Sequence, residues 1–135
     1  MGWVKYMEAE RNQGKDDIGI DDPTLEQILS AISSLDGDRS TYVMLHPGDP
    51  DDNVFLAIGG GNEGRYLVNH WDGNTGVEQR VIDPSVTSDE FVGVMMVQLT
   101  ERRAPEIVDL AAALKVVTHF AATGQLTTEV VWKID

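Results

Sequence analysis

Apolar residues along this chain change period several times, and each change marks an expected element. Within residues 23–38, Leu25, Ile28, Leu29, Ile32 and Leu35 recur at steps of three and four, which gathers them on one face of a helix. Asp22 stands where an N-cap is expected, Pro23 at the first helical position and Gly37 at the stop. A second stripe, Leu110, Ala113, Leu114, Val117, Phe120 and Ala121, predicts a helix from near Ile107, with Asp109 or Glu106 at its start and Gly124 at its end. Around these stripes the pattern is that of strands. Residues 41–45, 54–58, 65–70 and 77–82 are short runs of strand formers. Pro47-Gly48, Gly59-Gly60-Gly61-Asn62 and Asp72-Gly73-Asn74 separate them and suit tight turns, so an antiparallel meander is expected. Residues 2–8, with Trp3, Val4 and Tyr6, predict a first strand, and residues 11–23 a loop or exposed hairpin. Residues 91–99 predict one further strand, and residues 130–134 a terminal strand or extended tail with Trp132 packed down. The expected fold class is α+β: an antiparallel β-meander of about five or six strands packed with two amphipathic helices.

Composition narrows the picture. A chain of 135 residues fits a single domain, 1–135, able to bury one core. With no cysteine, disulfides, thiolate metal ligands and a cysteine nucleophile are excluded. Lysine, arginine and glutamate interrupt the N-terminal segment MGWVKYMEAERNQGK, which does not read as a signal peptide, and no run approaches the ~20 apolar residues of a membrane span. The expected location is the cytoplasm.

Charge changes the picture most. The 23 acidic and 10 basic residues give a formal net charge of −13. Such a surface repels nucleic-acid phosphates and anionic lipid and attracts basic partners. Direct nucleic-acid binding and membrane association are therefore not expected. The excess is greater in residues 1–52, net −8, than in residues 53–135, net −5, and it is concentrated in Asp16-Asp17, Asp21-Asp22 and Asp49, Asp51 and Asp52.

Candidate chemistry adds little. His46, His70 and His119 lie far apart, without the spacing of a metal-binding pair, and each is expected at the surface or partly packed. Ser85 sits in DPSVTS, where a turn hydrogen bond with Asp83 is the simpler role. The run Gly59-Gly60-Gly61 with Gly64 lacks the Gly-Lys-Ser ending of a phosphate loop and leads into a strand-like segment, so a hairpin turn or close backbone packing is expected instead. The acidic runs DPDDN and DDIGIDD do not follow the spacing of a calcium loop. No catalytic residue, cofactor site or metal site is assigned.

The order of segments carries a resemblance. A helix ending in SSLDGDR, a strand, I-G-G-G-x-x-G-R-Y at residues 58–66, D-P-S at residues 83–85 and a helix-to-tryptophan tail at residues 108–132 follow one another. Over about residues 20–135 this succession resembles the first (Imm) family of bacterial immunity proteins of polymorphic toxin systems. The resemblance implies a non-catalytic α+β inhibitor, held in the cytoplasm, that binds a cognate toxin. Toxins paired with the family are often nucleic-acid deaminases, some acting on DNA cytosine, and sometimes nucleases. The glycines and the D-P-S step then read as scaffold.

A toxin that acts on nucleic acid presents a positive substrate site, which an acidic partner can occupy. The expected contacts are Asp16, Asp17, Asp21 and Asp22 as one patch, Asp49, Asp51 and Asp52 as another, and Trp71 as an aromatic anchor. The chain is expected to be a monomer alone and a heterodimer with the toxin. Two other readings stay open at this point: an adaptor module, which predicts an exposed apolar patch and self-association, and a small-molecule binding domain or enzyme, which predicts a concave pocket with converging polar groups.

Overall fold

Seven strands pair antiparallel in the spatial order 18–21, 6–9, 42–46, 54–60, 66–72, 77–82 and 131–134, and a separate two-stranded hairpin, 91–96 with 98–103, lies against the sheet. The computed structural model describes residues 2–134. In chain order the elements are β1 (Tyr6–Ala9), β2 (Ile18–Asp21), α1 (Leu25–Ser33), β3 (Tyr42–His46), β4 (Val54–Gly60) and β5 (Tyr66–Asp72). They continue with β6 (Val77–Ile82), β7 (Phe91–Met96), β8 (Gln98–Arg103), α2 (Leu110–Thr123) and β9 (Val131–Ile134). The α+β class and the meander, β3 to β6, agree with the sequence pattern, whereas nine strands among the described residues exceed the expected five or six. The additional strands have identifiable origins. Residues 11–23, read as a loop or hairpin, contain β2, which pairs with β1 from Tyr6↔Asp21 to Ala9↔Ile18. The run at residues 91–99 is two strands, because the chain reverses at Val97 and pairs Met96 with Gln98. The tail forms β9 on the edge of β6, with the Trp132 indole N–H donating to the Thr127 carbonyl at 2.9 Å.

Both helices pack on one face of the sheet. Ile28, Ile32 and Leu35 from the first helical segment, and Ala113, Val116, Val117, Phe120 and Ala121 from α2, enclose Met7, Val43, Leu45, Leu56, Ile58, Val68 and Val81 from alternate strand positions. Each large side chain buried in this way stabilises the fold by roughly 1.5–3 kcal/mol relative to exposure. Leu25, on the apolar stripe and at the first position of α1, is exposed. The N-cap of α1 is Thr24 rather than Asp22. Thr24 and Gln27 form a reciprocal capping box, with the Gln27 N–H donating to the Thr24 hydroxyl at 3.1 Å and the Thr24 N–H to Gln27 Oε1 at 2.9 Å. Asp22, at φ 47°, belongs to the preceding turn. Asp109 caps α2, and Gly124 ends it at φ 73°.

The hairpin packs over the Gly59–Gly60 end of β4 on the opposite face. A Cβ on Gly59 would stand 2.7 Å from Met96 Sδ, and one on Gly60 2.6 Å from Val94 Cγ1, so the two glycines admit the side chains of β7 onto the sheet. Most of the glycine run thus belongs to a strand, and the turn lies at residues 61–64. At the base of the hairpin Arg80 bonds Glu106 at 2.7 Å and Glu78 at 2.9 Å. Burial would push the Glu106 carboxyl up, but hydrogen bonds from Arg80 and the Arg103 N–H hold it below the usual carboxylate range.

Candidate functional site

The strand register decides which of the sequence-predicted contacts meet. β1 begins at the end of the sheet where β2, β3 and β5 finish and β4 begins. Asp21 and Asp22 therefore share an end with the β3–β4 loop that carries Asp49, Asp51 and Asp52, and with Asp72. Asp16 and Asp17 precede β2 and lie at the opposite end, about 13 Å from Asp21 at the usual rise per strand residue. The expected patch of four is therefore divided. Asp16 and Asp17 also hold their own loop: the Arg11 N–H donates to Asp17 at 3.0 Å and the Asn12 amide to Asp16 at 2.9 Å.

At the shared end the acidic loops are built, not merely solvated. Asp49 caps a short 3-10 turn, accepting from the Asp51 N–H at 2.9 Å, while Asp52 accepts from the Asp49 N–H at 3.1 Å. The Gly73 N–H donates to the Asn53 carbonyl at 2.9 Å, which ties this loop to the β5–β6 turn. The Asp22 N–H donates to the Lys5 carbonyl at 2.8 Å and the Lys5 N–H to the His46 carbonyl at 2.8 Å, fixing Asp21 and Asp22 beside β1 and β3. Asp21, Asp22, Asp49, Asp51 and Asp52 are all exposed.

Trp71 is a strand residue rather than a turn residue, and it is half-buried. Its neighbour His70 faces Phe120 of α2, ring centroids 6.1 Å apart, so Trp71 faces away from the helices. Burial pushes the His70 imidazole pKa below its ordinary value, only partly offset by Asp72. Trp71 stands directly opposite Phe55 of β4. On the same face Phe55 lies 6.0 Å from the His46 ring and His46 lies 5.9 Å from Tyr6. The Tyr6 phenol in turn covers Gly19 of β2, where any Cβ would collide with its hydroxyl. The result is an aromatic row, Tyr6, His46, Phe55 and Trp71, crossing four strands beside the acidic end, on the sheet face opposite the helices.

Sequence reasoning missed this row, since its members are far apart in the chain and only the register aligns them. His46, expected at the surface or partly packed, is 4 % exposed, with Nε2 3.5 Å from Glu8 Oε2 and neither ring nitrogen hydrogen-bonded. Burial first, and then the negative charges of Asp17, Glu8 and Glu10, push the Tyr42 phenol up.

The remaining candidates are structural. Ser85 donates to Asp83 from both hydroxyl and amide, at 2.6 and 3.0 Å, holding the Asp83 carboxyl below its ordinary value. Among the described residues no group of three or more His, Asp or Glu side chains is arranged to hold a metal ion, and no helix is long and apolar enough to cross a membrane. A hollow of about 690 Å³, lined in part by Val4, Lys5, Asp22, Thr24, Leu25 and Ala121, opens between the start of α1 and the end of α2, bordering the acidic end at Asp22.

Comparison with known proteins gives one match to a family model. Residues 17–133 match the model described as Immunity protein Imm1. Among curated proteins no sequence matches the chain.

Proposed function

The chain belongs to the Imm1 family of polymorphic-toxin immunity proteins, non-catalytic proteins that neutralise a cognate toxin, and from that premise we propose how the neutralisation works. The acidic end of the sheet and the aromatic row beside it enter the positive substrate site of a nucleic-acid-modifying toxin, a deaminase (one acting on DNA cytosine among them) or a nuclease, and exclude the substrate. The observation that carries this reading is the convergence of Asp21, Asp22, Asp49, Asp51, Asp52 and Trp71 at one end of the sheet. Dispersed acids would confer solubility alone, whereas a localised acidic rim around half-buried aromatics has the anatomy of an interface, an anchor bordered by polar groups.

Each part has a role in binding. The aspartates draw a basic domain in and orient it, acting on the association rate. Trp71 and Phe55 lose water on contact and hold the complex, acting on the dissociation rate. Asp16 and Asp17, at the other end, contribute only to the long-range field. The complex is a heterodimer of one chain with one toxin domain, formed in the cytoplasm, and inhibition needs neither metal nor turnover.

The test is a titration of the chain into the catalytic domain of the toxin encoded beside it, at several concentrations of nucleic-acid substrate. The reading predicts activity lost at one chain per toxin, and inhibition that rising substrate weakens. A tight complex that still binds substrate oligonucleotide undiminished would contradict occlusion.

A further inference from the structure

The two edges of the seven-stranded sheet are unlike. β9 forms one edge and carries Lys133, a side chain of the kind that discourages pairing with another chain. β2 forms the other and carries no lysine, proline or bulge; its four residues, Ile18–Asp21, pair in regular register with β1 and with no other strand.

The register decides which backbone groups β2 presents. The Glu10 N–H donates to the Tyr42 carbonyl at 3.1 Å, so Glu10, and in phase with it Glu8 and Tyr6, bond toward β3, while the alternate residues Met7 and Ala9 bond Ile20 and Ile18. The Asp22 N–H, two residues beyond Ile20, points the same way and donates to the Lys5 carbonyl. Gly19 and Asp21 are left with N–H and C=O directed away from the sheet, and both residues are exposed. A groove of about 390 Å³ lies beside this edge, with half-buried Ile18 and Ile20 on one side and Gln27, Ser30, Ala31 and Ser34, neighbours on one face of α1, on the other. On the opposite face of the sheet Tyr6, the end of the aromatic row, lies over Gly19. A strand added to β2 would send alternate side chains into the groove and against Tyr6.

Charge selects the occupant. Asp16 and Asp17 stand at one end of β2, Asp21 and Asp22 at the other and Glu26 in the groove, so that residues 11–26 hold five acids against Arg11 and Lys15. Two copies of β2 pairing antiparallel about Gly19 would set Asp17 of each against Asp21 of the other, and like charges directly opposite are destabilising. The same charges favour a segment that carries lysine or arginine on both sides of its strand.

We propose that β2 receives an extended, lysine- or arginine-flanked segment of the cognate toxin as a further strand of the sheet, held by the backbone of Gly19 and Asp21 and by side chains in the groove beside α1. The inference rests on the toxin-binding reading above and extends that contact round the edge at which the aromatic row ends. Asp16 and Asp17 act in it through their field, their carboxylates being engaged within their own loop.

Residue-resolved hydrogen exchange by NMR tests the proposal on the free chain and on its complex with the catalytic domain of the toxin encoded beside it. In the free chain the Gly19 and Asp21 amides are expected to exchange fast and those of Ile18 and Ile20 slowly, and in the complex Gly19 and Asp21 are expected to slow by at least about tenfold. Asp21→Pro removes one outward donor at an edge position that tolerates proline, and Asp21→Asn removes the charge alone. The proline variant is expected to bind the toxin about tenfold more weakly than the asparagine variant while melting like it. Should the proline variant unfold, the exchange measurement on the wild-type chain decides. Tight wild-type binding with the Gly19 amide exchanging as in the free chain would overturn this inference alone, as would equal affinities of the two folded variants. A free chain that dimerises with Gly19 protected would overturn it by assigning the edge to a second copy. Wild type failing to bind the toxin at all would overturn the toxin-binding reading as well.

Discussion

The two faces of the seven-stranded sheet are built for different tasks. On the helix side, alternate positions of the strands are aliphatic, the helices close over them, and Met7, Leu45, Leu56 and Ile58 lose essentially all contact with water. On the other side the same strands carry tyrosine, phenylalanine and tryptophan, half-buried around a buried histidine and bordered by exposed aspartates, and the hairpin packs over the Gly59–Gly60 end of β4. A face that served packing alone would not keep aromatics under partial exposure beside a concentration of like charge. The difference teaches that stability and recognition are separable here, since a strand sends alternate residues to opposite faces.

Substitutions should separate them experimentally. The largest effect is expected for Phe120→Ala on the helix face: about 3–5 kcal/mol of stability lost, read by chemical or thermal unfolding, with unchanged toxin affinity of whatever remains folded. Trp71→Ala, one face away, should reverse the pattern, costing at least ~2 kcal/mol of binding by calorimetry with a smaller change in unfolding. Next comes the triple replacement of Asp49, Asp51 and Asp52 by asparagine. It should slow association about tenfold at low salt and leave dissociation nearly unchanged, while the same change at Asp16 and Asp17 should do less.

The smallest effect concerns acid. His70 is held neutral by burial, so its folded pKa lies below the ordinary 6.5. The unfolded chain therefore takes up the proton first as pH falls. The stability that His70 contributes is present above about pH 6.5 and is lost as pH falls through the folded value. His70→Leu should flatten that part of the pH–stability curve, measured by unfolding between about pH 7 and pH 5.

What the sequence revealed follows the same division. The helix face was legible because its signals are periodic: the stripes of both helices and the β3–β6 meander can be read from spacing alone. The alternation Ile18, Ile20 against Gly19, Asp21 was a readable strand signal hidden among charged neighbours, and Thr24 with Gln27 was a readable capping box eclipsed by Asp22. The reversal at Val97 was not legible, since no glycine, asparagine or proline marks it, and the polar β8 shows no apolar alternation. At the site, Trp71 and the aspartates were visible one by one. Their partition between two ends, and the joining of Trp71 to Phe55, His46 and Tyr6, depend on register, which couples residues far apart in the chain.

The central claim, that the acidic end of the sheet meets a positive site on the toxin, is tested most directly by the salt dependence of the dissociation constant. The wild-type chain would be compared with the variant carrying asparagine at positions 49, 51 and 52, each titrated against the toxin catalytic domain over a range of salt concentrations. The account predicts that wild-type affinity falls steeply as salt rises and that the variant shows a clearly shallower slope. Equal slopes for the two chains would contradict it and place the contact elsewhere on the molecule.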